Sequence, residues 1–169
     1  MRSYMRAFAS LFLVLAIIFA GFTSPALSTA QASTRAVAVL HWAEKEKGKP
    51  YKYGATGPNA FDCSGCVQFA YKKAGKKIGR TSGAQLAGKH ISKSHKEKGD
   101  VIIFMDGGYA CHSAIYAGDG KVWHAPKTGR KVSEEKIWTS SYVVRRPRSP
   151  SVAIAARSSP WKSAPRCRL

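Results

Sequence analysis

The tetrapeptide Asp62-Cys63-Ser64-Gly65 opens an amphipathic segment and is followed by His112 and His124 in two short β-rich runs; no other feature constrains this chain as much. Val67, Ala70, Tyr71 and Ala74 recur at helical spacing, Asp62 is a good N-cap, and Gly75 ends the segment before Lys76-Lys77. The spacing predicts a helix whose first turn holds Cys63. A thiol placed there feels the positive end of the helix dipole, which favours the thiolate, and an imidazole brought beside it would serve as its base. Taken alone, Cys63 reads equally well as a small core residue. The two histidines favour the nucleophile.

The ends of the chain differ from its middle. Arg2 and Arg6 precede an apolar run from Leu11 to Ala20 that is too short to span a bilayer as a mature helix, and Ala30-Gln31-Ala32 fits a small-residue cleavage site. Residues 1–32 are therefore expected to be a secretion signal, leaving a secreted, envelope-located protein with no membrane span. From Pro147 the composition turns to Ser, Pro, Arg and Ala, so residues 148–169 are expected to form a flexible basic tail. Residues 33–147 are enough for one small domain. The net charge of +19 loses only two positive charges with the signal, and such a balance favours anionic partners. For an exported protein the expected partner is an anionic cell-wall polymer, met through the basic surface and tail, with no nucleic acid and with the chain a monomer.

Within the middle segment, Ser33 or Thr34 is expected to cap a first helix carrying Val37, Leu40 and Ala43, ended by Gly48-Lys49-Pro50. A third short helix starts at Thr81 or Ser82, and Lys89 to Gly99 reads as a Lys-rich loop. Val101–Phe104, Ser113–Ala117, Lys121–Trp123 and Val143–Arg145 read as strands. Helices followed by neighbouring strands predict an α+β domain with N-terminal helices packed on an antiparallel sheet. Gly118-Asp119-Gly120 signals a hairpin. A two-residue loop would pair Tyr116 with Trp123 and put His112 and His124 on opposite faces; a three-residue loop would pair Ala114 with His124 and put them on one face. In the second geometry a helix lying across that face brings Cys63 to His112, with His124 fixing the tautomer of the base.

These segments together resemble the NlpC-type family of cell-wall cysteine peptidases, which have a small papain-like fold. The likeness rests on Pro50-Tyr51-Lys52-Tyr53-Gly54, Asp62-Cys63-Ser64-Gly65, Arg80-Thr81-Ser82, Gly99-Asp100-Val101, His112-Ser113-Ala114-Ile115-Tyr116 and Val122-Trp123-His124-Ala125. The resemblance implies hydrolysis of the amide between D-isoglutamate and the diamino acid of peptidoglycan stem peptides, without a cofactor. It implies Cys63 as nucleophile, His112 as base and His124 as third catalytic residue. It further implies that Tyr53 lies beside the nucleophile and that Asp62 and Ser64 hold the substrate's free amine, although Asp62 reads equally well as a helix cap alone.

Cys66, Cys111 and Cys167 depart from the family pattern, and in an exported protein four cysteines allow three full disulfide connectivities. If Cys63 is free, one of the others must be free as well. Cys66 is expected to face the sheet surface that carries His112 and Cys111 the opposite one, so no Cys66–Cys111 bond is expected. Cys63-x-x-Cys66 lacks the preceding strand of a redox motif, and zinc through Cys63, Cys66, His112 and His124 would need a histidine spacing longer than common fingers use, so no metal is expected. Two alternatives are a papain-like amidase or acyltransferase acting on another envelope substrate, and a non-catalytic basic wall-binding protein.

Overall fold

The computed structural model describes residues 26–147, with side chains from residue 33 onward. Residues 1–25 of the expected signal and the whole expected tail, residues 148–169, lie outside the described residues. Helix α1 is Ala26–Lys45. It begins upstream of Ser33 and Thr34, because the alanine-rich stretch before them has high helix propensity and contains nothing that stops a helix. Helix α2 is Cys63–Lys73 and the single-turn α3 is Ser82–Gln85, capped by the Thr81 hydroxyl accepting from the Ala84 N–H.

Six strands follow: β1 Lys89–Ile91, β2 Val101–Asp106, β3 Tyr109–Gly118, β4 Lys121–His124, β5 Ser133–Lys136 and β6 Tyr142–Arg146. They form one sheet in the order β1-β6-β2-β3-β4-β5, antiparallel throughout. Two strands are additions to the sequence reading. Part of the expected Lys-rich loop is β1, an edge strand with Lys89 opposite Arg146. Ser133–Lys136 has no β-branched or aromatic residue and becomes a strand only through its pairing with β4.

The β3–β4 hairpin combines both expected geometries. Asp119 and Gly120 have φ of 51° and 69°, the backbone of a two-residue type I′ turn. The register then shifts: Gly118 pairs with Lys121, but Tyr116 pairs with Val122 and Ile115 with Trp123, leaving Ala117 as a bulge. That extra residue restores the register of the longer loop and carries His124 to the face of His112. A second bulge precedes the base. Phe104 pairs with His112 and Met105 with Ala110, so Cys111 has no opposite partner in the ladder.

One face of the sheet, through Val101, Ile103, Ile115 and Trp123, packs on Val39 and Ala43 of α1 and on Cys66, Val67 and Ala70 of α2. Burying each large side chain of this kind contributes about 1.5–3 kcal/mol relative to exposure. The other face carries Ile102, Phe104, Ala114, Val122 and Val144. His112 lies opposite Phe104, with ring centroids 5.7 Å apart, and so belongs to this second face. The expectation that α2 lies across the histidine face is therefore corrected. The apolar stripe of α2 packs on the face of Val101, Ile103, Ile115 and Trp123, and Cys66 looks there rather than toward His112. Cys63 and Cys66 are free thiols, whereas Cys111 is in a disulfide, so Cys66 and Cys111 are not joined.

Candidate active site

Local sequence explains how Cys63 is presented. The Asp62 side chain accepts the Gly65 N–H at 2.6 Å, closing the first turn of α2. A Cβ added to Gly65 would stand 2.2 Å from the Ala55 carbonyl oxygen, so only glycine lets the Ala55 loop pass this close to the helix start. That loop accepts the Asp62 N–H on the same Ala55 oxygen, at 2.9 Å. Asp-Cys-Ser-Gly is thus a cap, a thiol and a residue of minimal bulk in the order the geometry demands.

Cys63, as the first residue of α2, reaches β3 from the tip of the helix. Burial pushes its thiol up; the backbone N–H groups of Ser113 and Ser64 and the Ser82 hydroxyl work against that rise, while the Asp62 charge adds to it. The resting state is thus a protonated thiol, because burial outweighs the helix dipole that alone would favour thiolate. Ser113 follows His112 in β3, so the strand amide that acts on the thiol belongs to the residue next to the base.

His112 and His124 are both buried, and His112 Nε2 lies 2.8 Å from His124 Nδ1 with the two rings perpendicular. Burial lowers the basicity of both: the neighbouring His124 lowers His112 further, whereas Glu135 partly raises His124. Both imidazoles rest neutral at physiological pH. Trp138 stacks on His124 at 5.1 Å and on Phe104 at 4.1 Å between centroids, and walls the pair on one side although the indole is 41% exposed. On the far side of His124, Nε2 lies 3.5 Å from Glu135 Oε2, within ion-pair range but too long for a full hydrogen bond.

The structure places the other expected residues around Cys63 in different ways. Asp62 is buried and both its oxygens are engaged: Oδ1 accepts from Gly65 N, Ser64 Oγ and Arg80 Nη1, and Oδ2 from Gly54 N and Arg80 Nη2. Arg80 also donates to Ser64 Oγ at 3.0 Å. Tyr53 is 88% exposed at the rim. Tyr51 is the more enclosed phenol, pushed up to about 12 by burial and then by the charges of Cys63 and Asp62, and it remains neutral beside the thiol. Sequence reasoning missed the roles of Tyr51, Arg80, Ser82, Glu135 and Trp138. Only Tyr51, Arg80 and Ser82 stood inside motifs already singled out. The Cys66 thiol, pushed up to about 12 by burial, is a core group.

With this geometry in place, the comparisons with known proteins agree on a family. The chain belongs to the NlpC/P60 family, whose model matches residues 48–147. It is 43% identical over 115 residues to a probable endopeptidase of Corynebacterium glutamicum, a match covering 68% of this chain and 54% of that protein. It is 38% identical over 100 residues to a gamma-D-glutamyl-L-lysine dipeptidyl-peptidase of Bacillus cereus, covering 57% of this chain and 30% of the relative. Among solved structures, the NlpC/p60 domain of the peptidoglycan hydrolase SagA superposes with a TM-score of 0.61 at 32% identity, covering 66% of this chain and 97% of that one. The α+β, papain-like architecture is the family's. The chain spans about half the length of the first two curated relatives it matches, 54% and 51%.

Proposed function

We propose that this protein is a secreted cysteine endopeptidase of peptidoglycan, cleaving the amide between D-isoglutamate and the diamino acid of stem peptides. The observation that carries the reading is the buried His112–His124 pair, 2.8 Å apart, in which the residue after His112, Ser113, has a backbone N–H that acts on the helix-tip thiol. The specificity of the gamma-D-glutamyl-L-lysine relative supports the choice of bond.

In this mechanism His112 Nε2 is occupied by His124, so Nδ1 is the nitrogen that takes the Cys63 proton. The thiolate adds to the γ-carbonyl carbon of D-isoglutamate. The oxyanion faces the Cys63 and Ser64 N–H groups at the start of α2, the Gly65 N–H being held by the Asp62 cap. The C–N bond breaks as His112 returns its proton to the leaving amine, and a thioester remains. Water, deprotonated by His112, then adds to the thioester and releases the acid and the thiol. For Nδ1 of His112 to accept, its Nε2 must carry hydrogen and donate to His124 Nδ1; His124 is the orienting group.

Tyr53 at the rim and the Asp62–Ser64 pair, bound into a neutral cluster with Arg80, form the proposed side for the substrate's peptide. Export is supported by the Arg2, Arg6 and Leu11–Ala20 pattern and by the disulfide at Cys111, a bond that persists in oxidising compartments. The domain assignment proposed is signal 1–32, peptidase 33–147 and basic tail 148–169, the tail and surface lysines adding attraction to anionic wall polymer. No helix among the described residues is long and apolar enough to cross a membrane.

Mass analysis of defined muropeptides after incubation with the mature protein tests the reading. One new pair of fragments, split at the γ-glutamyl bond and absent with Cys63→Ala, is expected. Cleavage elsewhere, or unchanged cleavage by Cys63→Ala, would reject it.

A further inference from the structure

We propose that Glu135 is a positioning residue for the imidazole pair: the carboxylate that accepts a hydrogen bond from the His124 Nε2–H and ends a one-directional chain running Cys63, His112, His124, Glu135. The inference rests on the peptidase reading for its direction, since that reading fixes which nitrogen of His112 must accept.

The polarity of the chain follows from counting protons. A neutral imidazole has one N–H. If His112 Nδ1 is to accept from Cys63, its proton is on Nε2 and points at His124 Nδ1, 2.8 Å away. His124 Nδ1 is then an acceptor, and its own proton must be on Nε2. That N–H belongs to a ring only 2% exposed, and Nε2 has no full hydrogen-bond partner among the described residues. A buried donor left unmade costs about 1–3 kcal/mol, so the tautomer that catalysis needs is favoured only if an acceptor faces Nε2. The nearest acidic oxygen is Glu135 Oε2, at 3.5 Å.

Glu135 is built for that task. In the β4–β5 ladder His124 lies opposite Ser133 and Val122 opposite Glu135, so side-chain alternation puts Ser133 and Glu135 on the face of His124. Oε1 of Glu135 is held by Arg130 Nη2 at 2.7 Å and Ser133 Oγ at 2.8 Å, which leaves Oε2 turned to the imidazole. The pair is partly solvent-exposed, and a cavity of about 220 Å³ bounded by Arg130, Glu135, Lys136 and Trp138 opens beside it, giving the carboxylate room to close the remaining distance as positive charge develops. Its charge would stabilise the imidazolium formed when His112 takes the thiol proton. In the peptidase reading the thiol and the carboxylate would stand at opposite ends of the two rings, the arrangement of a triad lengthened by one imidazole.

The test uses a reaction that needs no substrate. Iodoacetamide alkylation of Cys63, followed by peptide mapping across pH 5 to 9, reports thiolate directly, and the buried Cys66 is the internal control. The charged and titratable groups facing this system are His112, His124, Asp62, Arg80 and Tyr51 near the thiol, and Arg130 and Lys136 near Glu135; none of them is changed. Glu135→Gln keeps shape and a hydrogen-bond acceptor while removing charge, and Glu135→Ala removes both.

Both variants are expected to alkylate about tenfold more slowly at pH 7, a change of about 1.4 kcal/mol, with the thiolate limb displaced to higher pH. In muropeptide hydrolysis the loss should fall on kcat with KM unchanged, of the same order in both variants. Alkylation rates and pH profiles identical to wild type in both variants would overturn the proposal while leaving the peptidase reading intact. Slowed alkylation in a protein that cleaves no muropeptide would support the chain and reject the peptidase reading.

Discussion

His112 Nε2 and His124 Nδ1 stand 2.8 Å apart because Ala117 is bulged out of the hairpin that joins their strands. An unbulged two-residue turn would have put the rings on opposite faces, and the pair would not exist. Because a single ring nitrogen of His124 makes this contact, its role can be graded by substitution. His124→Ala should lower kcat by roughly a hundredfold to a thousandfold. Asn or Gln can still accept from His112 and should recover about tenfold of that loss. Steady-state kinetics on a soluble muropeptide measure it, and equal losses from all three variants would remove the orienting role.

The Asp62–Arg80 ion pair makes a second prediction. Arg80 Nη2 lies 2.6 Å from Asp62 Oδ2, with the carboxylate side chain 9% and the guanidinium 35% exposed. Arg80→Met strands a mostly buried carboxylate that also caps α2. Discounted for the solvent that reaches Arg80, the cost should be about 1–3 kcal/mol in urea unfolding, with kcat/KM reduced because the cap positions Cys63. Arg80→Lys should recover only part of it, since a single ammonium cannot reproduce the two-pronged contact. Full stability in Arg80→Met would show that Asp62 is satisfied by Gly54, Ser64 and Gly65 alone.

Much of this site was legible in residue order. The cap, the helix and the periodic stripe of α2 follow from local chemistry, and the glycines of the hairpin announced a turn whose bulge only the three-dimensional register reveals. The face on which α2 packs was not legible. Alternation puts His112 and Ile115 on opposite sides, but nothing local says that the helix prefers the side of Ile115. Glu135 was invisible for a related reason: Ser133–Lys136 has no strand propensity, so the neighbour of His124 appears only when β4 recruits it. Arg80 stood in a quoted motif, yet its partner lies eighteen residues away and is set by the fold.

Gly65→Ala should be damaging beyond its single methyl group. The new Cβ would meet the Ala55 carbonyl at 2.2 Å and Asp62 Oδ1 at 2.9 Å, and neither can retreat without breaking the cap. The first turn of α2 must shift, and Cys63 with it. A stability loss of about 1–3 kcal/mol is expected. The kcat should fall by more than tenfold, because an error of about 1 Å in a reacting group is enough to cost that much. Urea titration and muropeptide kinetics on the same preparation check both effects; a variant with native stability and kcat would mean that the Ala55 loop yields freely.

Stability should fall on mild acidification, and the two imidazoles should be a major cause. Burial lowers the basicity of His112 and His124 in the folded chain, whereas in the unfolded chain both titrate near about pH 6.5. Below that pH the unfolded state binds more protons than the folded one, so stability rises with pH across the window between the folded and unfolded values. The full contribution is present above about pH 6.5 and is lost progressively as pH falls toward the depressed folded values. Thermal unfolding followed by circular dichroism at pH 7, 6 and 5 should show a falling midpoint in the wild type. In a His112→Gln, His124→Gln double variant, which carries the same carboxylates but neither imidazole, the slope over this interval should be distinctly shallower. An unchanged slope would assign the acid sensitivity to other groups and would mean that the buried pair is protonated in the folded protein as readily as in the unfolded one.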